Sequence, residues 1–178
     1  MLQSVEIRLS GTGGQGIILA GIILAEAAVL DGKNAVQSQS YGPEARGGAS
    51  KSEVIISSGE ILYPKVKKPD ILLALSQEAC DKYINDIKDN STVIVDSSID
   101  IVQYDIKAKK VITVPILETA VDKLKKAMVA NIVALGVIVG FTSLVSKESL
   151  ENAVLKRVPK GTEDLNRKAL YEGFKLVS

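Results

Sequence analysis

The chain has 178 residues, 46% of them apolar and 24% charged, and Lys plus Arg exceed Asp plus Glu by one. That length suits a single domain, residues 1–178, burying roughly two-thirds of its unfolded surface around one core. Balanced charge, no Trp and no basic run with interleaved aromatics argue against a nucleic-acid or lipid-headgroup partner.

With no His, the chain offers no imidazole base, no Ser–His or Cys–His pair and no His-ligated metal site. Cys80 is the only cysteine, which excludes an intrachain disulfide and a four-cysteine iron–sulfur site. It falls in an expected helix over 77–84 with no evident base beside it, and reads as a small buried apolar residue rather than a reactive thiol. A single free thiol suits a reducing cytosol, and the N-terminus lacks the basic and apolar regions of a signal peptide. No catalytic or metal-ligating residue stands out.

Val5, Ile7 and Leu9 alternate with Glu6 and Arg8, which predicts a first strand over 5–9. Gly11-Thr12-Gly13-Gly14-Gln15-Gly16 breaks the pattern, and 17–30 reads as a helix ended by Asp31-Gly32. A short strand follows at 35–37, then an irregular loop over 38–49. Residues 51–56 alternate like a strand with one exposed face, and a hairpin-like return runs through Gly59 and Ile61-Leu62. The apolar runs 71–75, 92–95 and 111–114 read as strands buried on both faces. Ser76 is placed to cap the helix after the first of these.

Beyond Pro115 helices are expected over 118–126, 129–145, 147–157 and 163 to the C-terminus, the last two capped by Ser146 and Thr162. Strands alternating with helices predict an α/β, mostly parallel, Rossmann-like sheet with helices on both faces and a helical C-terminal third. Residues 127–146 carry no charge, which approaches the length of a membrane span. Asn131, Gly136, Gly140, Thr142, Ser143 and Ser146 interrupt the run and favour a buried helix, part of whose cover a second subunit is expected to supply.

The glycine string matches G-x-G-x-x-G between a strand and a helix. There a Cβ would hold a phosphate off the backbone, and the helix N-terminus offers unpaired N–H groups to an anion. A dinucleotide enzyme adds an acidic residue about 20 positions on. Here Val36-Gln37-Ser38-Gln39-Ser40 has none, and no Gly-Lys-Ser/Thr follows, so nucleotide binding is a weak alternative. The glycines serve either anion binding (Gly11, Thr12, Gly13, Gly14, Gln15, Gly16) or close packing alone.

The second concentrated feature is Tyr41-Gly42-Pro43-Glu44-Ala45-Arg46-Gly47-Gly48. A loop after the second strand of such a sheet projects at its carboxyl edge, beside the glycine turn. Arg46 suits bidentate grip of a carboxylate or phosphate, and Gly47-Gly48 leave N–H groups accessible. Equally, Glu44 can pair with Arg46 and hold the loop, and Tyr41, Gly42, Pro43, Glu44 and Arg46 suit a subunit contact. Asp96, at a strand end, reads as a cap for the turn through Ser97-Ser98.

These strings, with Gln39-Ser40 before the second, Ala130-Asn131-Ile132-Val133-Ala134-Leu135-Gly136 and the segment 166–173 before Phe174, resemble the gamma subunit of 2-oxoacid:ferredoxin oxidoreductases. The family includes the pyruvate, 2-oxoglutarate, 2-oxoisovalerate and indolepyruvate enzymes. The resemblance covers nearly the whole chain and implies a cofactor-free subunit, with Asn131 among its contact residues. It implies thiamine diphosphate and magnesium between alpha and beta partners and iron–sulfur clusters in a ferredoxin-like delta subunit. It further implies coenzyme A as co-substrate, received in part by the gamma subunit, a gamma–gamma contact, and a cytoplasmic enzyme. The short, separate chain points to the 2-oxoglutarate type. Two other readings remain: a stand-alone nucleotide- or CoA-binding module, and a scaffold whose glycines serve packing only.

Overall fold

The computed structural model describes residues 3–40 and 48–178. The described chain runs β1 (Ser4–Thr12), α1 (Ile17–Leu30), β2 (Asn34–Gln39), β3 (Ala49–Ser57), β4 (Ile71–Ala74), α2 (Gln77–Tyr83), β5 (Thr92–Asp96) and β6 (Lys110–Val114). A helical part follows: α3 (Ile116–Glu118), α4 (Ala130–Thr142), α5 (Lys147–Arg157) and α6 (Glu163–Lys175). The strands form one sheet in the order β2-β3-β1-β4-β5-β6. Only β3 runs against the rest, antiparallel to both neighbours, while β1, β4, β5 and β6 pair in parallel. The expected α/β class, mostly parallel sheet and helical final third are all present.

Helices cover both faces. On one, Ile7, Leu9, Leu73 and Ile94 of the sheet pack with α1, α4, α5 and α6 in the larger core. On the other, Leu72, Ala74, Val93 and Val95 meet Ala79, Cys80 and Tyr83 of α2, with Ile84 and Ile99. Ser76 caps α2 by accepting the Ala79 N–H at 3.2 Å, and Ser146 caps α5 by accepting the Ser149 N–H at 3.1 Å. Asp31 joins α1 to α5: its carboxylate accepts the Ser146 N–H and hydroxyl and the Ser149 hydroxyl at 2.6–2.7 Å.

The apolar helix α4 departs from expectation. Every residue from Ala130 to Val139 is buried by this chain itself, without a second subunit. The Gly136–Gly140 spacing works inside the chain. A Cβ on Gly136 would lie 2.3 Å from the Leu170 carbonyl oxygen and 2.9 Å from the Gly173 Cα, so α4 and α6 touch backbone to backbone. Among the described residues no helix is long and apolar enough to cross a membrane.

Further expectations are corrected. β3 was expected to expose one face, yet all but Lys51 is buried, because β3 lies inside the sheet between β2 and β1. Glu53 tolerates this position through the Arg8 guanidinium, 2.8 Å away. β6 was expected to be buried, but it is the sheet's last strand: only Val114 is fully buried, with Ile112 half-buried against the larger core. Gly59 and Ile61-Leu62 form no strand; the Asn34 side chain holds that coil by donating to the Gly59 carbonyl at 2.9 Å.

The helix expected over 118–126 breaks after α3 into a π-turn (Thr119–Lys123), Lys125 at φ 58° and a 3-10 turn (Ala127–Val129). This rearrangement redirects the chain into α4, which ends at Thr142 with Ser143 at φ 53°, short of the expected 145. Thr162 precedes α6 without capping it: its hydroxyl donates to the Pro159 carbonyl instead.

Candidate functional site at the carboxyl edge of the sheet

β1 is longer than its alternation suggested and carries Gly11 and Thr12 into the sheet, where they pair with Ser50 and Ala49 of β3. Because β3 is reversed, it begins where β1 ends, and the end of β2 lies close by, with Gln39 opposite Ser52. The connection from β2 to β3 therefore leaves and re-enters the sheet at the edge bearing the glycine turn, as the sequence suggested. Tyr41, Gly42, Pro43, Glu44, Arg46 and Gly47 lie outside the described residues; Gly48 directly precedes β3.

The six residues of the glycine string divide by role. Gly11 has no room for a side chain, since a Cβ would sit 2.3 Å from the Gln15 Oε1. That oxygen accepts the Thr12 N–H at 2.7 Å, and the Gln15 Nε2 donates to the Leu75 carbonyl at 3.1 Å. Gly16 is left-handed at φ 72°, and a Cβ there would meet the Asn131 amide at 2.4 Å. Asn131 donates to the Gly16 carbonyl at 3.2 Å, and its oxygen accepts the Ile132 N–H at 2.9 Å, one of the otherwise orphaned donors in the first turn of α4. Gly11 and Gly16 thus serve close packing.

Gly13 and Gly14 are different. Both are exposed, and Gly14 takes φ 91° with nothing within 4 Å of the Cβ position. Among the described residues no acceptor meets the N–H groups of Gly13, Gly14, Gly16, Ile17, Ile18 or Leu19; the first helical bond is from Ala20 to Gly16. Unpaired donors at the positive end of a 14-residue helix form an anion-accepting surface.

Beside the turn a cleft of about 230 Å³ is lined chiefly by apolar groups, among them Leu19, Met128, Val129, Ile132 and Leu165, with Asn131 at its polar side. Lys125 and Lys126 stand exposed on the segment leading into α4, and neither has an ion-pair partner among the described residues. The glycine turn and the adjoining cleft thus offer N–H donors and an apolar wall. That set suits an anionic ligand with an apolar portion.

Other strand-end groups are structural. Asp96 is 1% exposed, and its carboxylate accepts from the Ser98 N–H and hydroxyl and from the Leu117 N–H at 2.8 Å. Gln77 holds the Asp100 backbone in both directions, at 2.8 and 2.9 Å. Cys80 is fully buried, and burial, helped by the nearby Asp81 charge, pushes its thiol up to about 11, as befits an inert core residue.

Asn131, grouped in the sequence with subunit-contact residues, is 4% exposed and bonded to the glycine turn of its own chain. Its partnership with Gly16, and the hold of Gln15 on two strand ends, were not foreseen. A Gln between glycines is the only local signal for either. Arg8 was also missed: it read as a solvent-side residue of an alternating strand but is 2% exposed, bonded to Glu53 and Asp86 and stacked 5.2 Å from the Tyr83 ring centre.

Comparison with known proteins identifies the family. The family model for pyruvate ferredoxin/flavodoxin oxidoreductase matches residues 6–176. The chain is 55% identical over 176 residues to 2-oxoglutarate synthase subunit KorC of Methanocaldococcus jannaschii, covering 97% of this chain and 93% of that one. It superposes with a TM-score of 0.89 and 51% identity on the keto/oxoacid ferredoxin oxidoreductase gamma subunit of Geobacter sulfurreducens, covering 98% and 97% of the two chains. A 2-oxoglutarate:ferredoxin oxidoreductase from Magnetococcus marinus, solved with 2-oxoglutarate, coenzyme A and succinyl-CoA bound, shares the fold. There the TM-score is 0.85 at 24% identity, over 98% of this chain and 31% of that longer one. With nearly its whole length matched, the chain belongs to the pyruvate ferredoxin/flavodoxin oxidoreductase family.

Proposed function

We propose that the chain is the gamma-type subunit of a multi-subunit 2-oxoglutarate:ferredoxin oxidoreductase. The complex converts 2-oxoglutarate and CoA to succinyl-CoA and CO2 while reducing ferredoxin. The observation that carries this reading is the 55% identity, over almost all of both chains, to a 2-oxoglutarate synthase subunit. In this reading alpha and beta subunits hold thiamine diphosphate and magnesium, a ferredoxin-like delta subunit holds the iron–sulfur clusters, and the assembly works in the cytoplasm. A chain with no His and one buried Cys supports this division of labour.

This chain's own contribution is to receive part of CoA at the carboxyl edge. Gly13, Gly14 and the first turn of α1 offer N–H groups to a phosphate, joined by Arg46, Gly47 and Gly48 of the second glycine-bearing loop. Residues Tyr41 to Glu44 meet a companion subunit. The packing-only reading is supported at Gly11 and Gly16, whose Cβ positions are filled by Gln15 and Asn131, and not at exposed Gly13 and Gly14.

The test is reconstitution. Alpha, beta and delta companions should reduce ferredoxin with 2-oxoglutarate and CoA only when this chain is added. Turnover by this chain alone, or full turnover without it, would refute the proposal. Gly13 is exposed and has no left-handed φ, so its backbone conformation suits a residue with a Cβ. Gly13→Val should raise the KM for CoA at unchanged kcat, and an unaltered KM would remove CoA from the glycine turn.

A further inference from the structure

We infer that Gln15 is a positioning residue whose side-chain amide aims the Gly13–Gly14 N–H groups, and that Gly11 is glycine in order to house that amide. The inference rests on the anion-binding reading of the turn given above.

Its basis is the way Thr12 is held. The Thr12 N–H donates to the Gln15 Oε1 at 2.7 Å, and the Thr12 carbonyl accepts the Gln15 backbone N–H at 3.3 Å. One residue thus grips Thr12 from both sides. The other end of the same amide is fixed to the Leu75 carbonyl, just beyond β4. β4 is in turn locked to β1, since the Leu75 N–H donates to the Ser10 carbonyl at 3.0 Å and the Ser10 hydroxyl donates to the Leu73 carbonyl at 2.7 Å. The short excursion between β1 and α1 is thereby referred to two strands of the sheet.

The excursion needs such a reference. Gly13 and Gly14 are exposed, and among the described residues their N–H groups have no acceptor. Glycine pairs sample both signs of φ freely, so without the clamp the donors would be ordered only when a ligand arrives. The clamp orders them in advance, and preorganisation of this kind appears as affinity. The Oε1 also takes up the Thr12 N–H, so the outward donors are confined to Gly13, Gly14 and the start of α1. Space for the amide comes from Gly11, where a Cβ would lie 2.3 Å from Oε1, with the Ile17 side chain the next neighbour at 3.2 Å. The first glycine of the string therefore serves a side chain of the same turn rather than the ligand.

The experiment uses the assembled enzyme with Gln15→Ala, Gly11→Ala, the double variant and Gly13→Val, measuring KM for CoA, KM for the 2-oxoacid and kcat. Gln15→Ala should raise the KM for CoA roughly tenfold, the scale of one lost hydrogen bond, while kcat at saturating CoA and the KM for the 2-oxoacid hold. Gly11→Ala should match it, because the methyl expels the amide. The double variant should be no worse than either single, since with the amide gone the methyl has only the flexible Ile17 side chain to displace. Additive effects would separate Gly11 from Gln15 and overturn the pairing. A rise in KM with Gly13→Val but none with Gln15→Ala would overturn the inference and leave the CoA reading standing. No rise with either would remove the CoA reading itself. A fall in kcat alone, or failure of the Gln15→Ala chain to assemble, would assign the amide to folding and overturn the inference.

Discussion

Replacing Gly136 with Ala adds one methyl group where α4 crosses α6, and both nearest neighbours are backbone. The new Cβ would stand 2.3 Å from the Leu170 carbonyl oxygen, 2.9 Å from the Gly173 Cα and 3.1 Å from the Phe174 nitrogen. No rotamer relieves such contacts, so the helices must separate along a shared wall of the larger core. Overpacking typically costs 1–3 kcal/mol, and a backbone-on-backbone clash belongs at about 3 kcal/mol. Ala recovers about 1 kcal/mol of helix propensity. The net loss is then about 2 kcal/mol, which for a chain of this size lowers Tm by about 4–8 °C. Gly140→Ala is the matched control. Its closest contact is the Val177 Cγ2 at 2.8 Å, a side-chain end near the terminus that can turn aside, so stability should change by less than about 1 kcal/mol. Scanning calorimetry of both variants distinguishes them. A Gly136→Ala protein as stable as the parent would show that α4 and α6 do not meet as described.

Two other perturbations follow from buried polar groups. Arg8→Met leaves Glu53, whose side chain is only 10% exposed, with Lys51 at 3.3 Å as its remaining cation, and should cost about 3 kcal/mol in denaturant unfolding, the low end for a broken buried pair; adding Glu53→Leu should recover most of that loss. Burial opposes ionisation of Asp31, but hydrogen bonds from Ser149 and Ser146 outweigh it and hold the carboxyl below its ordinary value. A depressed folded value gives stability that is full above the unfolded pKa, about 3.9, and fades as pH falls through the lower folded value. Asp31→Asn should therefore cost about 1 kcal/mol at neutral pH, with allowance for partial exposure, and the gap from the parent should close under acid. A gap independent of pH in urea titrations would count against the Asp31 contacts.

What the sequence disclosed depended on how local the cause was. α1 and α5 have the expected bounds, because a glycine string, an Asp-Gly stop and a Ser146 cap act within a few residues of the helix they define. The buried runs of β4 and β5 were equally legible. Burial of β3 and exposure of β6 were not, since each depends on strand order, which no short window contains. The site followed the same rule. The glycine turn was visible as a motif, whereas the task of Gly16 depends on Asn131, 115 positions away. Nor does composition distinguish a glycine that makes room for a neighbour from one that faces solvent; only the filled or empty Cβ position does so. The second string, around Arg46, lies outside the described residues.

The internal shelter of α4 bears on how this polypeptide is made. A stretch of 20 uncharged residues left bare after synthesis would invite clumping until something covered it. Here its cover is built into the same chain, chiefly the final helix α6, so the hazard ends once translation has delivered it. The greasiest segment of the molecule therefore reaches its final shelter as the last stretch of chain arrives, with no second polypeptide required for that step.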